Sequence, residues 1–463
     1  MEITNDIIRA HQALSNCSLK FLEFVKRDSE RLKRSNYSTL ETHDPKRVLQ
    51  PWPTFICLRT KNELQKASTE VFKIIKTLLR RFFSYDPEKI SGFYEFPLDH
   101  VEYFLYGVNE EHIDNLLARG DFIFSPSGFK CIEYNVCSNL GGGQLPVWEG
   151  MYLKTPIIAE FLQKHGIKVI NKNLLAIFIK HIITLILKKI PNISDELNIV
   201  IAFSDKAEMT VNNPREHFYL NQLYQDILHQ KYRPLKGEII FCDYSQLIMM
   251  DDRIYYHGKE VHFILEFNNG TAPFKFRMVH EKGNVLIYNG LISALMENKL
   301  NIALMSENQD SDIFTPEERE IIKKYIPWTR KVKYGETTHN SQTVKLEDFM
   351  LSNREQMVLK PAGGLSGFNV HLGYKTPENQ WRQVVEQALQ KKNWVVQERI
   401  DSYPFLYQHG KEGYAEHNVN WGTFVFGTRY GGSWLRIQPK TDPEGVINFS
   451  QGAEASILFE VDE

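Results

Sequence analysis

At 463 residues the chain exceeds what one hydrophobic core supports, about 250 to 300 residues, so roughly two to four domains or subdomains are expected. Its 42 % hydrophobic and 24 % charged residues exclude wholesale disorder, and a formal net charge of -2 excludes the long-range field that would attract nucleic acid or an anionic membrane. The five cysteines, Cys17, Cys57, Cys131, Cys137 and Cys242, lack the C-x-x-C spacing of a structural zinc site and fit a reducing, cytoplasmic setting.

Residues 1–115 read as a helical N-terminal region. MEITNDIIRAHQAL and ELQKASTEVFKIIKTLLRRFF repeat apolar positions at three and four, and the first lacks the unbroken apolar core of a secretion signal. DFIFSPSGFKCIEYNV then alternates around Ser-Pro-Ser-Gly, which predicts a hairpin over 121–136. That alternation puts Glu133 and Asn135 on one face of the second strand. The most apolar run, LLAIFIKHIITLIL at 174–187, is too short to span a bilayer and carries Lys180 and His181, so a buried or amphipathic helix is expected. From 197 to 300, LNIVIAF, HFYLNQLYQDILHQ, EIIFCDY and NVLIYNG alternate strand and helix, the texture of a small α/β unit with a mainly parallel sheet. IFTPEEREIIKKYIP starts a helix, with Thr315 as N-cap, Pro316 at N1 and Glu318 at the capping-box position. The last third, from 340, opens with a short helix and turns strand-rich through MVLKPAGG, GFNVHLG, WVVQERI, WGTFVFGTRY, SWLRIQP and GVINFS.

Three stretches carry chemistry. In MVLKPAGGLSGFNVHLG a strand reaches Lys360 and turns through Gly363, Gly364 and Gly367, where bare backbone N–H groups can approach an anion. The lysine precedes the glycines, so a Walker site is disfavoured; an ordinary turn has the same composition. NWVVQERID ends an apolar strand in a polar step that would offer backbone groups to a base and Glu398 or Asp401 to a ribose, or that is a solvated strand end. Glu133 and Asn135 supply the oxygen donors that Mg2+ prefers, with Asp121 on the neighbouring strand and Arg119 suited to a terminal phosphate. A solvated acidic strand face is the plain alternative.

In this order, Arg119, Asp121, Glu133, Asn135, the lysine–glycine hairpin and QERI resemble the circularly permuted ATP-grasp ligases, of the glutathionylspermidine synthetase kind. YNGLISALMENKLNIALMSE, IPWTR and LRIQPKTDPEGVINFSQGA are similar to further family segments, so the resemblance covers roughly 115–463. It implies an α/β (α+β) ATP-grasp fold in circularly permuted order: a segment at 116–165 with the metal ligands, a small α/β pre-ATP-grasp-like domain at 166–310 and a nucleotide-binding segment at 311–463. Carried over by residue, it implies Asp121, Glu133 and Asn135 on Mg2+, and Arg119 and Lys360 on the phosphates. Gly363, Gly364 and Gly367 would form a flexible phosphate loop, and Gln397, Glu398, Arg399 and Ile400 an adenine hinge. Lys331 or Lys333 would add a second phosphate lysine, and Arg436 and Asn448 would line the reaction centre. The chain departs from the family in lacking a cysteine–histidine amidase domain and in VCSNLGGGQ after Asn135, so substrate identity does not carry over.

The reaction implied is ADP-forming ligation of a carboxylate and an amine through an acylphosphate, with ATP and Mg2+ as cofactors. The substrates would be small molecules, or the acceptor a peptide or carrier protein, with no nucleic acid and no membrane partner. Cys137 is expected to be structural, because this chemistry needs no thiol. A nucleotide-binding scaffold is the reading from a different class; the intact set of Asp121, Glu133, Asn135 and Lys360 argues for turnover instead.

Overall fold

The computed structural model describes residues 3–33, 48–191, 193–204, 214–268, 270–364, 367–410, 413–441 and 445–463. Its largest sheet has eight strands. Six run in the order Thr54–Cys57, Glu454–Asp462, Arg429–Pro439, Gly413–Phe426, Leu117–Ser125 and Gly128–Asn135; Phe405–His409 and Lys168–Val169 pair alongside. Thr54–Cys57 pairs parallel with Glu454–Asp462 and lies inside the region expected to be helical. The reason is local: TFIC follows Pro51 and Pro53, and its β-branched and aromatic residues suit a strand whose Phe55 and Ile56 are fully buried. The strands come from 54–57, 117–135, 168–169 and 405–462, so segments read separately along the chain interleave in one sheet.

The expected hairpin forms, with Ser125 opposite Gly128 and Asp121 opposite Glu133. Tyr134 decides which way its neighbours face. Its ring stacks on Phe72 of the helix Leu58–Ile75, with centroids 5.1 Å apart and planes 6° apart, in the core behind the sheet. Alternation then turns Glu133 and Asn135 to the opposite face.

A second, antiparallel sheet runs Thr329–Lys331, Trp394–Glu398, Met357–Pro361 and His371–Leu372, packed on the helix Glu378–Lys391 through Trp381, Val385 and Leu389. GFNVHLG shrinks to the strand His371–Leu372, because Gly367 and Asn369 take positive φ and break the extended run. GVINFS is not a strand: 445–448 is a loop, and the Asn448 side chain accepts from the Ser450 amide to cap a single turn, Phe449–Gln451.

The α/β unit holds four parallel strands in the order Leu286–Tyr288, Phe263–Glu266, Ile199–Phe203 and Ile239–Asp243, as its texture predicts. The helix Pro316–Tyr325 starts on the expected capping box of Thr315 and Glu318. Among the described residues no helix is long and apolar enough to cross a membrane.

Candidate active site

The main cleft lies between the eight-stranded and the smaller antiparallel sheet. It encloses about 180 Å³, where one water needs roughly 10–15 Å³, so it is ligand-sized. The next cavity, beside Trp52, holds about 10 Å³ and has room for a water at most.

At one end stands Lys360, on Met357–Pro361, with its ammonium donating to Ile132 O at 2.9 Å and to Gln397 Oε1 at 3.0 Å. Gln397 is fixed in turn by donating to Thr329 Oγ1. Burial lowers the Lys360 pKa to about 8, against the pull of Glu133. Lys299 faces it from the segment between the helices Ser293–Met296 and Leu300–Glu307. Its ammonium donates to Gly364 O at 2.6 Å and lies 3.4 Å from Glu133 Oε2, and its backbone N–H donates to Ala362 O. Two lysines from distant segments therefore share the field of one carboxylate, and Lys299 also grips the glycine loop.

Beneath them is a buried charge cluster. Asp121 is fully buried; it accepts from Arg119 Nε at 2.9 Å and Asn135 Nδ2 at 3.1 Å, and pairs with Arg436 Nη2 at 2.5 Å. Burial alone would raise its pKa, but Arg119 and Arg436 outweigh it and hold the carboxyl well below the usual range. Register explains the convergence: Arg119 lies opposite Asn135, Asp121 opposite Glu133 and Gly422, and Asn420 opposite Ile123 and Arg436. Arg119, Lys299, Lys360 and Arg436 thus stand against Asp121 and Glu133, with Glu297, lifted to about 7 chiefly by burial, beside them, a balance that suits an anion. Arg436 Nε and Asn420 Oδ1 are buried without hydrogen-bond partners in residues that line the cleft. Such atoms are costly unless a ligand or water meets them.

Of the residues expected at the site, Glu133, Lys360, Gly364, Gly367, Gln397, Glu398, Arg399, Ile400, Asp401, Arg436 and Asn448 line this cleft. Arg119, Asp121 and Asn135 lie next to it in the charge cluster. Asp121, expected on Mg2+, has both oxygens engaged by the side chains around it. Lys331 is turned away, donating to Phe93 O and Glu95 Oε1, and Lys333 is exposed and does not line the cleft. The second lysine at the loop is instead Lys299, which the sequence reading passed over. Its signal was a lone cation in the otherwise buried run LISALMENKLNIALMS. Among the three glycines, Gly367 is the one its site demands: φ is +74°, and an added Cβ would lie 2.7 Å from Val446 Cγ1. A Cβ on Gly363 meets open space. Residues 365 and 366 of the loop lie outside the described residues. The cysteines fit a structural role, since burial pushes Cys137 up to about 12 and Cys131 well above its ordinary value.

No protein-family model and no curated protein sequence matches the chain. Among solved structures, a glutathione synthetase-like effector from Globodera pallida, in its apo form, overlays with a TM-score of 0.57 at 10 % identity, covering 99 % of this chain and 100 % of its own. A candidate γ-glutamylcysteine synthetase from Methylobacillus flagellatus overlays at 0.42 and 11 % identity, over 86 % of this chain and 88 % of its own. D-alanyl-alanine synthetase A from Vibrio cholerae reaches 0.26 and 12 %, over 49 % and 68 %. The last two overlays are too loose to carry an argument. Along nearly its whole length, the chain has a mixed α/β fold similar to that of the glutathione synthetase-like effector.

Proposed function

We propose that the chain is an ATP-dependent ligase that joins a carboxylate to an amine, with the cleft as its nucleotide site and the circularly permuted ATP-grasp order as its plan. The observation that carries this reading is that Lys299, which grips the glycine loop and pairs with Glu133, lines one cleft with Lys360 and the 397–400 strand end. ATP fits these atoms: two ammonium groups for phosphates, a buried guanidinium with a spare Nε, and an apolar wall for a base. Mg2+ fits two of the three expected donors. Glu133 lines the cleft, and Asn135, beside it in the charge cluster with Nδ2 donating to Asp121, would offer its carboxamide oxygen. One or two protein oxygens plus substrate phosphates are an ordinary Mg2+ environment. Asp121 does not fit as a ligand, because a cation there would compete with Arg119 and Arg436.

When bound, the metal would neutralise phosphate charge so that an anionic carboxylate can approach. The chain's own residues do the rest. Lys360 and Lys299 would stabilise charge on the transferring phosphoryl group, a class of effect worth about 2–4 kcal/mol per donor. Asp121 would hold Arg436 toward the reaction centre. The loops around Gly367 and Val446, already in contact, would exclude water that hydrolyses the acylphosphate. Substrates of the glutathionylspermidine synthetase kind, or a peptide or carrier-bound acceptor, belong to this same reading.

The test is a screen of amino acids, polyamines and short peptides for ATP-dependent mass gain, with hydroxylamine as a trap for the acylphosphate. Release of ADP and phosphate together with a hydroxamate is expected. AMP and pyrophosphate as products would contradict the acylphosphate route.

A further inference from the structure

Away from the cleft, the seam between the N-terminal helices and the parallel-sheet unit leaves aromatic surface in water. Tyr106, at the end of the helix Leu98–Leu105, packs its ring on Phe274, the first residue of the helix Phe274–Glu281, with centroids 5.1 Å apart. Tyr103 and Met278 continue the patch, each one turn along its own helix. All four are 40 to 50 % exposed, and none lines the cleft. A single exposed apolar residue needs no explanation, but aromatics and a methionine adjoining across two elements make an adaptable contact surface.

The rim of this patch has a sign. Asp99 and Glu102 precede Tyr103 and Tyr106 by four residues each, so they share that helix face, and Glu281 follows Met278 by three on the other helix. Glu281 is held close to Tyr106: its carboxylate occupies the place that a Cβ on the adjoining Gly107 would take. The three acids are exposed, and among the described residues none of them is in an ion pair. Lys275 lies over the Phe276 ring, and Lys282 is paired with Asp252. These carboxylates decide the occupant. An anionic membrane would be repelled, and an isologous dimer through this face would bring two acidic rims together. A segment with lysine or arginine beside apolar residues meets both parts of the patch.

We infer that this seam is a docking surface for a basic amphipathic segment of a partner protein, with its apolar side chains on Tyr106 and Phe274 and its cations on Asp99, Glu102 and Glu281. The surface is separate from the cleft, so the inference does not depend on the nucleotide reading.

Fluorescence anisotropy tests it with three labelled model peptides about 18 residues long: a Leu/Lys helix with its leucines on one face, the same composition scrambled, and a Leu/Glu helix in the first pattern. Wild type should bind the Leu/Lys helix saturably, the scrambled peptide at least about tenfold more weakly, and the Leu/Glu helix not measurably. Phe274→Ala with Met278→Ala should weaken the Leu/Lys helix at least about tenfold. Glu102→Gln with Glu281→Gln should weaken it about three- to tenfold and flatten its salt dependence. Phe218→Ala, which removes an uncovered ring elsewhere, should leave it unchanged. All variants should bind AMPPNP, a non-hydrolysable ATP analogue, as wild type does. No saturable binding of the Leu/Lys helix, equal binding of either other peptide, an equal effect of Phe218→Ala, or AMPPNP affinity lost together with the peptide would overturn the inference. A concentration-dependent dimer in sedimentation velocity that Phe274→Ala abolishes would assign the face to a second copy and overturn it as well.

Discussion

Asp121 and Glu266 are both fully buried carboxylates paired with arginine, yet they belong to regions built for different ends. Glu266, in the parallel-sheet unit, accepts from the backbone of Ala272 at 2.8 Å and Gly290 at 3.2 Å, and from Arg277 Nη2 at 2.6 Å. Its partners hold loops of the same unit together. Asp121 is met by side chains, and one of those, Arg436, lines the cleft with its Nε buried and without a hydrogen-bond partner. A buried charge satisfied by backbone is a brace, whereas one satisfied by side chains that go on toward a cleft is a positioning device.

Removing each carboxylate should break the comparison open most sharply. Glu266→Ala and Asp121→Ala should each cost about 3–5 kcal/mol in urea unfolding, because each leaves buried cationic charge uncompensated. Only Asp121→Ala should also weaken AMPPNP in the folded fraction, by roughly tenfold or more. Normal AMPPNP affinity in Asp121→Ala would reduce that cluster to a brace as well.

Titration gives the next effect. On the proposed reading, phosphate binding would need the Lys360 ammonium, which burial makes easier to lose: its charge disappears as pH rises through about 8 rather than near 10.5. AMPPNP affinity should therefore fall roughly tenfold between pH 7 and pH 9. An affinity flat to pH 10 would show that Lys360 keeps its charge throughout that range, or that it does not meet the phosphates; the Lys360→Ala titration separates the two.

A third, half-buried acid completes the series. Glu149 accepts from Asn171 at 3.0 Å and has Glu460 rather than an arginine beside it; burial, countered in part by Asn171, lifts its pKa to about 7. The folded state then holds the proton more tightly than the unfolded one, so this site's contribution to stability is lost as pH climbs from about 4.5 through 7. Glu149→Gln should stabilise the protein at pH 8 by on the order of 1–3 kcal/mol and give no gain near pH 4.5. An equal gain at both pH values would point to packing instead.

What could be read from the sequence was what is local. The hairpin around Ser-Pro-Ser-Gly, the capping box of Thr315 and Glu318 and the strand leading to Lys360 depend on neighbours within a few residues, and all appear. Thr54–Cys57 was hidden because its partner lies some 400 residues away, at the end of the chain. Lys299 was hidden for the same reason, since nothing near it in sequence marks the glycine loop it grips. The Asp121 pairing with Arg436 depends on the order of strands in the eight-stranded sheet, which no periodicity encodes. Only the family resemblance points to Lys331 or Lys333, while the fold sends the first to Glu95 and the second to solvent.

The most direct test of the central claim, that this cleft binds a nucleoside triphosphate through its buried lysine, is calorimetric titration of AMPPNP in Mg2+ buffer into wild type and Lys360→Ala. The account predicts binding by wild type and a loss of about 10–100-fold in the variant, which loses about 1–3 kcal/mol of stability but remains folded at the temperature of the titration. Equal affinity in the two proteins, or no binding by folded wild type, would contradict it.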